Sequence, residues 1–214
     1  MRNRTLTNSA VALFLVLAAA GPAEARQKKR SMSVGFIGGI NLSTFGAGGA
    51  DVEGIGFSNR AGLVAGAFFG GRVANRVPLT IEALLSQKGA TIDFKSFGVT
   101  GRQAISVSYV EVPVLVGLGK WPLGRSSILV EAGLAFSFKA FQRETFDGQT
   151  IDKDDRTKLK STDVAVAFGA RIDRRKLGFT IQYVLGLTDI NDDSQFDTAI
   201  RNRTLRFAVR YSLK

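Results

Sequence analysis

The sequence contains no cysteine and no histidine. Without cysteine there can be no disulfide, no thiolate nucleophile and no cysteine-ligated metal. Without histidine the chain cannot build a serine–histidine hydrolase, an imidazole zinc site or histidine-based acid–base catalysis. Proline is also scarce, with 4 residues in 214, whereas glycine (24) and phenylalanine (16) are frequent. This composition favours an all-β domain.

The first 25 residues are typical of a secretory signal. Arg2 and Arg4 precede an apolar run over residues 10–20, and Ala23-Glu24-Ala25 supplies a small-residue cleavage site. As a helix the apolar run would reach only about 16 Å, far less than the ~30 Å hydrocarbon core of a membrane. We therefore predict a signal peptide over residues 1–25 and one mature domain over residues 26–214.

The segment from Tyr109 to Lys120 has the clearest period in the mature chain. Its even positions from Val110 to Leu118 are all apolar, whereas its odd positions include Glu111, Pro113 and Gly117. A period of two indicates a strand with two unlike faces, and an uncharged face about ten residues long matches a transmembrane β-strand. Because unpaired backbone amides are costly in lipid, one such strand implies a closed ring of strands.

Seven other segments alternate in the same way, so that eight strands are predicted. They cover residues 33–43, 61–73, 79–88, 109–120, 128–139, 163–172, 177–187 and 204–213. Short turns (74–76, 121–127, 173–176) alternate with long loops (45–59, 91–103, 142–161, 189–199). This asymmetry predicts an all-β fold, an eight-stranded antiparallel up-and-down transmembrane β-barrel with periplasmic turns and external loops. We also expect a local bulge at Pro113, which cannot donate a ladder hydrogen bond.

Four segments carry a family resemblance: YVEVPVL (109–115), YVLGLTDI (183–190), NRTLRFAVRYSL (202–213) and LLSQKGA (84–90). With them the chain resembles the small porin-family outer-membrane β-barrel domain of Gram-negative bacteria. The resemblance implies a barrel in the outer membrane, assembly by the barrel-assembly machinery and no catalytic residue. Such chains usually end on an aromatic residue, whereas this one ends on Leu213-Lys214.

Charged residues recur on the face of the strands opposite the apolar one. Counted from the inner strand ends, they fall into a low group, a middle group and an outer group. Because buried charges need partners, we predict mixed-sign layers that fill the interior, and we favour this over a catalytic carboxylate pair. The low group is Glu82, Glu131, Arg171 and Arg210, the middle group is Glu111 and Arg206, and the outer group is Lys88, Lys139 and Asp163.

The long loops contain candidate ligands for a divalent cation. Asp189, Asn191 and Asp193 match positions 1, 3 and 5 of a calcium loop, but Ser194 replaces the required glycine and Ile200 the bidentate glutamate. Two interpretations remain open for this loop and for Asp152 and Asp154 in the predicted loop 142–161: a weak, water-rich cation site, or solvated loops. Near the same rim Arg60, Arg201 and Arg203 are expected to meet lipid phosphates.

The net charge of +11 does not by itself indicate nucleic-acid binding, because no basic strand is interleaved with aromatic residues. We predict a non-enzymatic monomer without cofactor, in contact with outer-membrane lipid, with a filled interior and a structural or surface-interaction role. The sequence identifies no extracellular ligand. Two alternatives remain open. One is a small porin or transport channel, and the other is a soluble periplasmic lipocalin-like barrel that turns its apolar face inward around a ligand.

Overall fold

The computed structural model describes residues 32–47, 55–74, 76–96, 99–151, 158–192 and 199–213. No helix in these ranges has the length and hydropathy needed to cross a bilayer. The predicted signal peptide and the loop residues Asp152, Asp154 and Asp193 lie outside the described residues. The strands are β1 (Ser33–Ala47), β2 (Ile55–Val73), β3 (Val77–Ser96), β4 (Val99–Leu123), β5 (Ser126–Phe146), β6 (Gln149–Thr150), β7 (Thr162–Arg174), β8 (Leu177–Gly186) and β9 (Ile200–Ser212).

The eight long strands form a closed antiparallel ring. Their order around the ring is β1-β2-β3-β4-β5-β7-β8-β9, and β1 pairs with β9 from Gly35 opposite Ser212 to Ala47 opposite Ile200. The short strand β6 pairs only with the end of β5. The predicted eight-stranded up-and-down barrel is therefore confirmed.

The two faces of each strand differ as the alternation predicted. On β4, Val110 and Leu118 are 43% and 69% exposed on the outer wall, whereas Glu111 and Leu115 are fully buried. The outer wall also carries many exposed aromatic and aliphatic side chains from the other strands. This orientation contradicts the lipocalin-like alternative, which required the apolar face to line the interior.

Several strands are longer than their apolar alternation predicted. The predicted loop 91–103 is wrong, because β3 continues to Ser96 and β4 begins at Val99. Likewise β5 continues to Phe146 and turns through Asp147 and Gly148, whose φ angles of 46° and 85° suit a two-residue hairpin turn. Above the bilayer both faces of a strand meet water, so ladder hydrogen bonds can continue where apolar alternation has stopped.

The predicted bulge at Pro113 is also wrong. The register of β3 on β4 is the same on both sides of it, with Ile81 opposite Val114 and Leu84 opposite Glu111. The pairing is interrupted between these positions without an inserted residue, as expected where a proline removes one donor. The irregularities of β4 against β5 lie elsewhere, at residues 108–109 and 117–119.

The barrel wall is uneven in height. Strands β2, β3, β4 and β5 are 19, 20, 25 and 21 residues long. Strands β7, β8, β9 and β1 have only 13, 10, 13 and 15 residues. Since the turns between the long strands are short at the opposite end, the extra length projects on the side of the long loops.

Candidate functional site

The centre of the barrel is crossed by one ion pair. Arg206 on β9 donates from Nη2 to Oε1 of Glu111 on β4 at 2.7 Å, and both side chains are fully buried. In the ring order, β4 is four strands from β9 in either direction, so these residues stand on opposite walls. The pair therefore spans the full width of the interior.

Neutral side chains complete the contacts of the Arg206 guanidinium. Its Nε donates to Asn41 Oδ1 at 3.1 Å, and its Nη1 donates to Gln182 Oε1 at 3.4 Å. Its Nη2 also donates to Ser86 Oγ at 3.3 Å, and Ser86 accepts a further bond from Asn41 Nδ2 at 3.0 Å. Side chains from three further strands, β1, β3 and β8, thus hold the guanidinium in place beside Glu111.

Lys88 joins the same cluster. Its Nζ lies 2.6 Å from Oε2 of Glu111, so that one carboxylate serves two cations, and Lys88 is itself only 2% exposed. The ammonium also lies 5.5 Å from the ring centroid of Tyr109, within the range of a cation–π contact. The sequence placed Lys88 near the outer end, but the structure places it beside the central pair.

A second layer lies nearer the short turns. Arg210 Nη1 donates to Glu82 Oε1 at 2.5 Å, and the guanidinium carbon stands 3.8 Å from the ring centroid of Phe68. Arg171 Nη1 donates to Glu131 Oε2 at 3.2 Å. The four residues that the sequence assigned to the low group therefore form two separate ion pairs.

Arg171 also has a partner that sequence analysis missed. Its Nε donates to Asp173 Oδ2 at 2.9 Å. Asp173 was assigned to a turn, although it is one alternate position beyond Arg171 on β7 and therefore lies on the same face of the strand. That parity is the sequence signal that could have found it.

Asp163 and Lys139, assigned to the outer group, are not joined to each other or to Lys88. Asp163 accepts from Asn202 Nδ2 at 2.8 Å and from the Thr188 hydroxyl at 2.6 Å. Lys139 donates from Nζ to the backbone carbonyl oxygen of Leu159. In the described part of the chain, Asp163 and Lys139 thus make hydrogen bonds to neutral groups, and the predicted outer layer of ion pairs does not form.

Apolar side chains form a buried cluster on the long-loop side of the interior. Leu159 and Ile190, which lie outside the long strands, are 4% and 0% exposed. They pack in one cluster with wall residues that include Ile105, Val107 and Tyr109. A bridge between Leu159 and Asn191 joins the segment before β7 to the segment after β8, next to the ladder of these two strands.

The loop that resembles a calcium loop is ordered by its first residue. Asp189 Oδ1 accepts from the backbone amides of Asn191 at 3.0 Å and Ile200 at 2.8 Å. Desolvation is the largest single influence on the pKa of Asp189 and raises it, but these two amides and the charges of Lys160 and Arg201 together outweigh it and lower the pKa.

The structure does not assemble a cation site from the candidate ligands that it describes. Among the described residues, no three acidic, histidine or cysteine side chains are grouped closely enough to hold a metal ion. Asp189 is engaged with backbone amides, and Asn191 takes part in the bridge to Leu159. Cation binding that also involves Asp152, Asp154 and Asp193 stays a prediction.

A closed antiparallel ring with an apolar outer wall and a charged, hydrogen-bonded interior defines a transmembrane β-barrel. Residues 23–192 match the family described as outer membrane protein beta-barrel domain, and the chain belongs to that family. The protein is therefore an outer-membrane β-barrel protein whose outer wall contacts lipid. None of the curated proteins matches the chain.

Solved structures with a similar fold include three bacterial proteins. The attachment invasion locus protein Ail of Yersinia pestis has a TM-score of 0.45 at 12% identity, covering 85% of this chain and 98% of Ail. Neisserial surface protein A has a TM-score of 0.44 at 9% identity, covering 86% of this chain and 99% of that protein. OprG of Pseudomonas aeruginosa has a TM-score of 0.40 at 12% identity, covering 85% of this chain and 91% of OprG.

Proposed function

We propose that the protein is a closed, non-catalytic barrel with a structural or surface-interaction role, and that its charge network occludes the interior. The observation that carries this proposal is the contact between Arg206 and Glu111, which joins opposite walls at 2.7 Å. An eight-stranded barrel has room inside for little more than its own side chains. One pair that crosses it therefore leaves no straight aqueous path.

The same interior is poorly suited to catalysis. Glu82, Glu111 and Glu131 each lie within ion-pair distance of an arginine or lysine. A carboxylate held in this way is neutralised by its partner and is shielded from a substrate by its burial. With histidine and cysteine also absent from the sequence, no nucleophile–base pair is available from those residues.

A surface-interaction role is supported by the uneven wall. The hairpin of β3 and β4 and the end of β5 project on the long-loop side, whereas β7, β8 and β9 end lower. This projection offers surface away from the bilayer. We also propose that the barrel is inserted by the barrel-assembly machinery and that it is a monomer. The closed ring supports a monomer, because the transmembrane wall has no free strand edge with which another copy could pair.

Planar-bilayer recording tests the occlusion. We expect the native protein to show no steady conductance, and the double variant Arg206→Ala/Glu111→Ala to conduct if it folds. Arg174→Ala, at the turn end of β7 on the same outward face as Ile172, is a matched control that removes a charge without changing the interior. A large, stable channel in the native protein would contradict the proposal and favour the small-porin alternative.

A further inference from the structure

The outer face of β9 changes from apolar to basic side chains near its extracellular end. Leu205, Phe207, Val209 and Tyr211 occupy successive alternate positions on its lipid side, and Leu213 continues this row directly after the strand ends. With about 3.3 Å per residue and a tilt of roughly 40°, this apolar row covers about 20 Å of the bilayer normal, close to the ~25 Å apolar band of such barrels. The next two outward positions beyond this band therefore lie at headgroup level.

Those two positions are Arg201 and Arg203. Both side chains are exposed, and they alternate with Asn202 and Thr204, which are 2% and 1% exposed inside the barrel. The arginines consequently share the lipid-facing side of the strand. Two guanidinium groups in a row directly above an apolar stripe are placed at the depth of lipid phosphates.

A glycine on the neighbouring strand seats one of these guanidinium groups. Gly46 on β1 pairs with Arg201, and the adjacent Thr44 pairs with Arg203. A Cβ atom built on Gly46 would lie 2.5 Å from Nε and 2.8 Å from Cζ of Arg203. The Arg203 guanidinium therefore lies flat against bare backbone, where any larger residue would displace it.

The charge of Arg203 is not compensated within the described part of the protein. None of the ion pairs there includes Arg203, and its register neighbours Thr44 and Leu185 are uncharged. Arg201 differs, since its charge acts on nearby Asp189. An arginine at headgroup depth without a counter-ion among the described residues is complementary to a phosphate, which guanidinium binds through paired hydrogen bonds.

We propose that Arg203, seated on Gly46 and supported by Arg201, binds the phosphate group of an outer-leaflet glycolipid. The proposal goes beyond the occluded-barrel function and does not depend on it, because the site lies on the outer wall. It requires only the outer-membrane location that the family establishes.

Titration with diphosphorylated lipid A tests the site. The full-length folded protein in phosphatidylcholine vesicles is titrated with this lipid, and the lipid retained per barrel is counted by native mass spectrometry. We expect Arg203→Gln to weaken apparent affinity about fivefold, and the Arg201→Gln/Arg203→Gln pair to weaken it further. Gly46→Ala should weaken it as well, although it removes no charge. Folding of each variant is checked by heat-modifiable migration on a gel.

Two comparisons make the test specific. The double variant Arg174→Gln/Arg175→Gln removes two exposed arginines at the opposite, short-turn end and should leave lipid A binding unchanged. Inorganic phosphate is the second probe, and it should not displace the lipid at equal concentration. The proposal is overturned if Arg203→Gln and Gly46→Ala bind like the native protein, if the control pair weakens binding equally, or if inorganic phosphate displaces the lipid.

Discussion

Glu111→Gln should be the most damaging single substitution in the central cluster. Glu111 is the carboxylate that contacts both Lys88, at 2.6 Å, and Arg206, at 2.7 Å, and all three side chains are fully buried. Glutamine preserves the size of the side chain but removes the charge, so two buried cations would be left without a counter-ion. Lys88→Met, in contrast, leaves the Glu111–Arg206 pair intact.

The magnitudes follow from the cost of breaking a buried ion pair. Removing one partner and leaving an uncompensated charge typically costs about 3 to 5 kcal/mol, so Glu111→Gln should lower the free energy of unfolding by that amount. Lys88→Met should cost less than about 1.5 kcal/mol, since replacing a buried charge by an apolar side chain of similar length is often nearly neutral when the remaining charges stay paired. The double variant should be more stable than Glu111→Gln alone, because it removes one of the two stranded cations.

Urea unfolding from lipid vesicles measures these differences. The protein has one tryptophan, Trp121, which is 54% exposed near the end of β4 and is not part of the cluster, so its fluorescence reports folding without perturbing the interior. The four proteins of the cycle give the coupling between Glu111 and Lys88 directly. Equal losses for the two single variants, or a double variant less stable than Glu111→Gln, would refute the assignment of Glu111 as the shared counter-ion.

Three other experiments test the wall, the lower layer and the loop. Val112→Arg on the lipid side of β4 should cost about 2 to 4 kcal/mol in the same urea assay, whereas Leu118→Arg, nearer the rim, should cost at most about 1 kcal/mol; equal costs would contradict the membrane depth assigned here. Arg210→Met should destabilise the barrel more than Arg210→Met combined with Glu82→Leu, as judged from unfolding midpoints, because the single change strands a buried carboxylate. The pKa of Asp189 is lowered in the folded state, so its ionised form stabilises the loop. Protection of the loop amides from hydrogen exchange should therefore be present above the unfolded pKa of about 3.9 and be lost as pH falls through the lower folded pKa. Protection that does not change over this range would argue against the role of the Asp189 charge.

The ring itself could be predicted from sequence because lipid imposes a simple rule on each strand. Where one face meets hydrocarbon, every second residue must be apolar, and this pattern marks the eight strands through residues such as Val110 and Leu118. The rule does not apply to the parts of the strands above the bilayer, where neither face meets hydrocarbon. Residues 91–103 therefore appeared as a loop, although their backbone continues the β3–β4 ladder.

Pairing inside the barrel was only partly predictable, for a related reason. Strand order and parity are enough to put Glu111 and Arg206 on facing walls, but the height of a residue depends on the stagger between strands, which a single sequence does not show. Lys88 was therefore assigned too far out. Neutral partners such as Asn41 and Gln182 were missed because an inward amide carries no distinctive signal until the arginine that it contacts has been placed.

The ionic interior is better explained by register than by stability. Buried ion pairs often contribute little compared with apolar side chains of equal volume, so stability alone gives no reason to keep Arg206 and Arg210 inside. A slip of β9 by one residue, however, would turn both arginines toward lipid at a cost of about 2 to 4 kcal/mol each near the midplane. It would also bring Phe207 and Val209 into an interior lined by Glu82 and other buried charges. β9 closes the ring, because its pairing with β1 is the last to become possible along the chain. The alternation of arginine and apolar residues along β9 thus disfavours every shift of this strand by an odd number of residues.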